Sequence, residues 1–252
     1  MVVGKLNLFY IQLNNKLNIK KKIIPRLEIK NGNLIKGIRM EGLRVLTNNL
    51  KPLIKKYLKM SPKEIFIEDI VASLFNKKID FETIKDLSSI IDLPVSYAGG
   101  ISNMNEVNKL FRTGVDKIYI NSALKDNFEL INHSASIYGS QSIGVLIQTK
   151  KIFSDWYIFF ESGRVYSNIK LKDWVKKIQN SQAGEVIISS IMNDGMFNGP
   201  DQELLNLIKD LNISVPVIYS GGIRNIKDVK EILNKKVNSV AISHALHFEK
   251  FN

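Results

Sequence analysis

Short runs of consecutive apolar residues recur along the chain: "IIPRLEI" (23–29), "IFIEDI" (65–70), "PVSYA" (94–98), "KIYIN" (117–121), "IGVLIQ" (143–148), "EVIISS" (185–190), "PVIYS" (216–220) and "SVAIS" (239–243). A strand with one wet face alternates polar and apolar positions. Runs this short and this apolar predict strands buried on both faces, as in a parallel sheet covered by helices. Stretches of helical period, such as "NEVNKLFRTG" and "KDVKEILNKK", fall between most of them.

One long stretch is written twice. "YAGGISNMNEVNKLFRTGVDKIYINSAL" (97–124) and "YSGGIRNIKDVKEILNKKVNSVAISHAL" (219–246) align without a gap, 122 residues apart. Pro94/Pro216, Tyr97/Tyr219, Gly99/Gly221, Gly100/Gly222, Asn103/Asn225 and Leu124/Leu246 are among the identical pairs. Solenoid repeats have periods of about 20–50 residues, so a period of half the chain implies a duplicated half-domain. Each copy reads strand, Gly-Gly turn, helix, strand. Eight such strands in about 250 residues predict a single (β/α)8 TIM barrel with a half-barrel repeat, an open doubly wound sheet being the alternative. After the fifth strand, apolar pairs flank Ser162-Gly163, a hairpin signal. A small antiparallel insertion is expected there, on the top face.

Composition narrows the setting. With 252 residues, 44% of them hydrophobic, the chain can bury a full core. It has no cysteine, which excludes disulfides and thiolate metal sites. No run reaches the roughly 18 apolar residues of a membrane span, and Asn14, Asn15 and Lys16 interrupt the N-terminal apolar patches. A cytoplasmic protein is expected, with residues 1–19 an N-terminal extension and residues 20–252 the barrel. The formal charge is +12, but its lysines are spread along the chain rather than gathered into a stripe. That pattern predicts solvated lysine faces with some attraction for phosphorylated molecules, and no nucleic-acid partner.

In a barrel of this kind the functional groups sit at the C-terminal ends of the strands. A glycine after a strand lets backbone N–H groups approach a phosphate. Each half supplies one such turn and one polar strand end: Gly99, Gly100, Asn121 and Ser122 in the first, Gly221, Gly222, Ser243 and His244 in the second. Two anion sites across one mouth suit a long ligand with a phosphate at each end.

"IIPRLEIKNGNLIKG", "EIFIEDIVAS", "AGEVIISSIMNDGMFNGPD" and the two Gly-Gly copies resemble the cyclase subunit of imidazole glycerol phosphate synthase, over residues 20–248. The barrel isomerase of the same pathway is the nearest competitor. The resemblance implies an enzyme of histidine biosynthesis that takes ammonia from a glutaminase subunit in a heterodimer. It would cleave a bis-phosphorylated ribulosyl formimino compound and close an imidazole ring, with neither metal nor organic cofactor. It implies catalytic roles for Lys36 and Asp194. It also implies a gate at the barrel floor made by Lys22, Glu64, Lys117 and Glu185, with Asp116 on the docking face.

Several positions depart from that pattern. The family's two catalytic aspartates fall at Glu28 and Gln148. Glu28 keeps a titratable carboxyl; Gln148 cannot titrate. An aspartate is absent at Met192, a threonine at Met196, and the strand-one cysteine is Arg26. Arg26 and Glu28, two residues apart on one strand, face the same side, and a pairing between them is expected. A retained floor beneath an altered centre leaves a second function open: ammonia delivery for amidation of a surface-polysaccharide sugar, a role associated with divergent relatives.

Overall fold

The computed structural model describes residues 22–59, 62, 64–74 and 77–248; the extension expected over residues 1–19 lies outside them. Strand β1 (Lys22–Lys30) pairs in parallel with β4 (Ile65–Asp69) and with β12 (Ser239–Ile242). β5 (Val95–Ala98), β6 (Lys117–Ile120), β7 (Ile143–Ile152), β10 (Glu185–Ser190) and β11 (Val217–Ser220) complete the sheet, and β7 pairs with β10 to close it. These eight parallel strands are the eight apolar runs of the sequence. They form a closed barrel, not the open alternative.

Helices α1 (Leu50–Leu58), α2 (Phe81–Ser89), α3 (Met104–Arg112), α4 (Leu130–Tyr138), α5 (Leu171–Gln179), α6 (Gln202–Asp210), α7 (Ile226–Leu233) and the short α8 (His244–His247) follow the strands. Each long helix turns an apolar stripe onto the outside of the sheet, building the main core: Val107 and Leu110 of α3, for instance, and Trp174, Val175 and Ile178 of α5. A second core fills the barrel axis. Ile24, Phe66, Ala98, Tyr119, Leu146, Ile187, Ile218 and Ala241 supply one inward side chain from each barrel strand.

The half-barrel repeat is visible in the local hydrogen bonds. Asn103 caps α3 by accepting from Glu106 N at 3.1 Å, and Asn225 caps α7 by accepting from Asp228 N at 3.1 Å. At the other end, Asp116 accepts from Val95 N and its counterpart Asn238 accepts from Val217 N. Gly99 and Gly221 adopt φ of 119° and 114°. A Cβ there would lie 2.3 Å from the Asp69 carbonyl oxygen in the first half and 2.8 Å from that of Ser190 in the second. Only glycine fits either turn.

Two antiparallel additions stand on the top face. β7 runs on past the barrel wall into β8 (Asp155–Phe160) and β9 (Val165–Lys170), so the expected hairpin around Ser162-Gly163 is the second turn of a three-stranded meander. The other addition has no counterpart in the sequence reading. β2 (Asn33–Ile38) folds back on the end of β1, and β3 (Glu41–Thr47) pairs with β2. β3 is mostly exposed and mixes polar with apolar residues, while β2 is mostly buried but its apolar residues are split by Lys36, so neither carries a uniform apolar run. Met40 at its tip packs against Phe159 of the meander and Ile191, which ties the two additions together over the mouth.

Candidate active site at the barrel mouth

Inward side chains follow the pleat of each strand, two residues apart. On β1 the inward set includes Ile24 in the axial core, then Arg26 and Glu28; on β4 it is Phe66, then Glu68. The register Glu28↔Glu68 and Arg26↔Phe66 staggers them. The result is a layer of buried charge above the axial apolar layer.

Arg26 is 2% exposed and stands at the centre of this layer. Its Nε donates to Glu68 at 2.7 Å, and its Nη1 to Asp194 at 3.1 Å and to Ser220 Oγ at 3.0 Å. Nη2 lies 3.2 Å from Glu28. The expected Arg26–Glu28 pair is therefore present, and it is the longest of three ion pairs. Lys36 reaches in from β2, with Nζ 2.7 and 2.8 Å from the two Glu28 oxygens and 2.6 Å from Asp194. Asp194 itself comes from the loop after β10, anchored where Arg39 N donates to its carbonyl at 2.7 Å.

Two cations thus face three carboxylates, and the carboxylates respond differently. Burial alone would raise Asp194, but Lys36 and Arg26 outweigh it and hold this carboxyl below its ordinary value. At Glu28 burial prevails over Lys36 and Arg26, and the carboxyl is raised. Burial would lower Lys36 and Arg26, yet the surrounding carboxylates hold both above their ordinary values. Of these two carboxyls, Glu28 takes up a proton at higher pH than Asp194. Among the described residues no set of side chains could hold a metal ion.

Three cavities lie across the mouth. The central one is bounded by Arg26, Glu28, Gln148 and Asp194. On one side a second is lined by Gly99, Gly100, Asn121, Ser122 and again Gln148. On the other, a third is lined by Gly221, Gly222, Ser243, His244 and Asp194. The two Gly-Gly sets picked from the sequence are each gathered into one cavity, one on either side of the carboxylates. Their walls differ. Asn121 Nδ2 donates to the Leu146 carbonyl at 2.7 Å, and Ser122 Oγ donates to Asn121 and accepts from Glu161 N at 2.9 Å. These side chains hold the tip of the meander over the first cavity, where Ser162 donates to the Ile70 carbonyl. In the third cavity His244 packs between the rings of Phe197 and Phe248, at 5.5 and 4.6 Å between centroids.

At the opposite end of the strands, Lys117 is clamped between carboxylates. It pairs with Glu185 and stands 3.7 Å from Glu64, and Glu64 accepts from Ser96 Oγ at 2.8 Å. Burial would lower Lys117, but Glu64 and Glu185 hold it above its ordinary value. Three of the four gate positions are therefore in one cluster. Lys22, the fourth, opens β1 in register with Ser239; its side chain is outside the described set. Tyr119 adds a group the sequence reading did not single out. Its hydroxyl also donates to Glu185, and its ring meets Phe66 edge-on at 5.3 Å. Tyr119 belongs to the axial apolar layer below Arg26.

Glu68, Ser189 and Ser220 also escaped the sequence reading. Counting by two from Glu64 or Glu185 would have turned Glu68 and Ser189 inward; adjacent acids and serines gave no reason to prefer them.

The sequence profile of the histidine biosynthesis protein family matches residues 22–252. The chain is 35% identical over 223 residues to the imidazole glycerol phosphate synthase subunit HisF of Sulfolobus acidocaldarius, covering 88% of each chain. It is 33% identical over 235 residues to that of Natranaerobius thermophilus, covering 93% of each. With the same subunit of Dictyoglomus thermophilum it shares 34% over 232 residues, covering 91% of each.

Proposed function

The chain belongs to the histidine biosynthesis protein family, as a HisF-type subunit, and from that premise we propose that it binds a bis-phosphorylated ribulosyl ligand across its mouth and uses ammonia there. One observation carries the reading: two Gly-Gly cavities related by the internal repeat flank a cavity lined by Glu28 and Asp194. A ligand with a phosphate at each end spans that arrangement and presents its middle to the carboxylates.

Glu28 then transfers the proton. Lys36 and Asp194 fix its position, because Lys36 touches both carboxylates. Gln148, buried at the place of a second carboxyl, offers hydrogen bonds but no proton exchange. A positioned acid or base contributes roughly 10²–10⁴-fold. Native cyclase turnover is therefore weak. The test is ammonia-dependent turnover of the bis-phosphorylated formimino substrate by the purified protein. Gln148→Asp combined with Glu28→Asp raises it; vigorous native turnover would overturn the claim that the centre is impaired.

Ammonia enters from a glutaminase subunit docked on the floor, past Lys22, Glu64, Lys117 and Glu185, with Asp116 on the docking face. Passage requires Tyr119 to swing off Glu185. A second reading, ammonia delivery to a sugar-modifying enzyme without cyclase activity, is favoured by Gln148 alone. A protein that stimulates a glutaminase yet never turns over the formimino substrate, even with both aspartates restored, would select it.

A further inference from the structure

The two antiparallel additions stand at corresponding places in the repeat. The meander continues from β7 and the β2–β3 hairpin from β1, and Ile24 of β1 and Leu146 of β7 enter the axial layer at the same 122-residue spacing. Their tips, however, go to different places. The meander tip, residues 161–163, reaches over the first Gly-Gly cavity. Glu161 N donates to Ser122 Oγ at 2.9 Å, Ser162 Oγ donates to the Ile70 carbonyl, and Ser162 borders both this cavity and the central one. Among the described residues that line the cavity of Gly221 and Gly222, none comes from the β2–β3 hairpin. That hairpin crosses to the meander instead, where Arg164 Nη2 donates to the Met40 carbonyl at 3.4 Å.

The meander tip is strained. Glu161, Ser162 and Gly163 follow one another with φ of 51°, 54° and 81°. Left-handed backbone is unfavourable for any side chain, and such residues persist where the surroundings over-determine them. Here the holding contacts are those with Ser122, Ile70 and Met40, so breaking them relieves strain. The covered turn is also committed internally. The Ser122 hydroxyl has one proton, and it goes to Asn121 Oδ1 at 2.9 Å. In the other half Ser243, the counterpart of Asn121, makes no side-chain cap bond to the helix that follows it.

We propose that the meander tip is a strained latch over the first Gly-Gly cavity. A bis-phosphorylated ligand seats one phosphate at Gly221 and Gly222 first, and the other at Gly99 and Gly100 only after the tip lifts. This rests on the reading of the two cavities as phosphate sites and adds the order in which they fill. A small singly phosphorylated ligand occupies the second-half cavity and leaves the latch down.

Stopped-flow mixing of the full chain with the bis-phosphorylated formimino substrate reads the latch as a rate, followed by intrinsic fluorescence, since Trp156 lies on β8 of the meander. The expected course is a fast phase that scales with ligand concentration, then a slower one whose rate reaches a plateau. Ser162→Ala raises that plateau by about tenfold, the worth of one hydrogen bond. Glu161→Asn, a residue that accepts left-handed backbone better, lowers it by about threefold. Inorganic phosphate soaked into native crystals appears at Gly221 and Gly222 and not at Gly99 and Gly100. A single phase linear in ligand, a plateau that neither variant moves, or phosphate on the first turn with the tip in place overturns the latch. Binding at neither turn counts against the proposed function instead, and the latch is then decided without ligand by hydrogen exchange. The Glu161 amide should be protected in the native chain and exchange about tenfold faster in Ser162→Ala; an amide as fast as an unstructured one overturns the latch.

Discussion

Arg26→Met is the most demanding test of the buried charge layer. The substitution removes one cation from a cluster of two cations and three carboxylates. Glu68 loses the guanidinium it faces at 2.7 Å, and Glu28 and Asp194 are left to Lys36. Breaking a buried pair by removing one partner costs about 3–5 kcal/mol, because the remaining charge is stranded. In a chain of this size that corresponds to a fall in Tm of about 6–20 °C. The companion variant, Arg26→Met with Glu68→Leu, replaces a buried ion pair by apolar groups, which is often close to neutral. It should recover at least half the loss, giving a favourable coupling between the two positions. Urea unfolding of native, both single variants and the double variant measures this. The pH dependence has a definite sign. Burial already raises Glu28, and losing the Arg26 charge raises it further, so the variant's stability falls as pH rises through that carboxyl's folded range. Its deficit should be larger at pH 8 than at pH 5. A single variant within about 1 kcal/mol of native, or a double variant no better than the single, would refute the reasoning.

Other outcomes follow from the same structure. Burial pushes the His247 imidazole down to about 3, while its Nδ1 is hydrogen-bonded to the Tyr57 hydroxyl at 2.6 Å. The unfolded chain takes up that proton first, so native stability should fall by up to about 1.4 kcal/mol per pH unit below the ordinary histidine value, and His247→Phe should flatten that slope in acid titrations of Tm. Gly99→Ala places a Cβ 2.3 Å from the Asp69 carbonyl oxygen at a φ of 119°. It should cost more than about 2 kcal/mol in chemical denaturation, whereas Gly42→Ala, with open space around a left-handed φ, should cost about 1 kcal/mol. Tyr119→Ser removes the ring that fills the axis beside Glu185. If ammonia travels through the floor, this variant should pass more glutamine-derived nitrogen to the mouth site in a glutaminase-coupled assay; an unchanged coupling would argue for entry from solvent at the mouth.

The barrel was legible because its strands are short, uniformly apolar and separated by amphipathic helices. "PVSYA" and "PVIYS" cannot be wet on either face, and the repeat names two corresponding places in one closed sheet. Gly99 and Gly221 announced turns that no other residue could make. The hairpin of β2 and β3 was not legible, because the exposed β3 mixes polar and apolar residues with no clean period and Lys36 interrupts the buried β2. Within "IFIEDI" two neighbouring acids look alike in sequence. Pairing with β1 turns Glu68 inward onto Arg26, while Asp69 caps the amides of Val71 and Ala72 at 3.1 Å.

The chain's own pattern set the architecture, the duplicated Gly-Gly turns and a side chain at Gln148 that cannot titrate. Those are matters of local composition and spacing. Which side chains meet was decided only by closure of the sheet. Arg26 finds Asp194 at a separation of 168 residues and Ser220 at 194. Lys36 enters the same cluster from a hairpin outside the barrel wall. The split between a raised Glu28 and a lowered Asp194 depends on burial and on distances of about 3 Å between such groups, to which each charge is sensitive inside a low-dielectric interior.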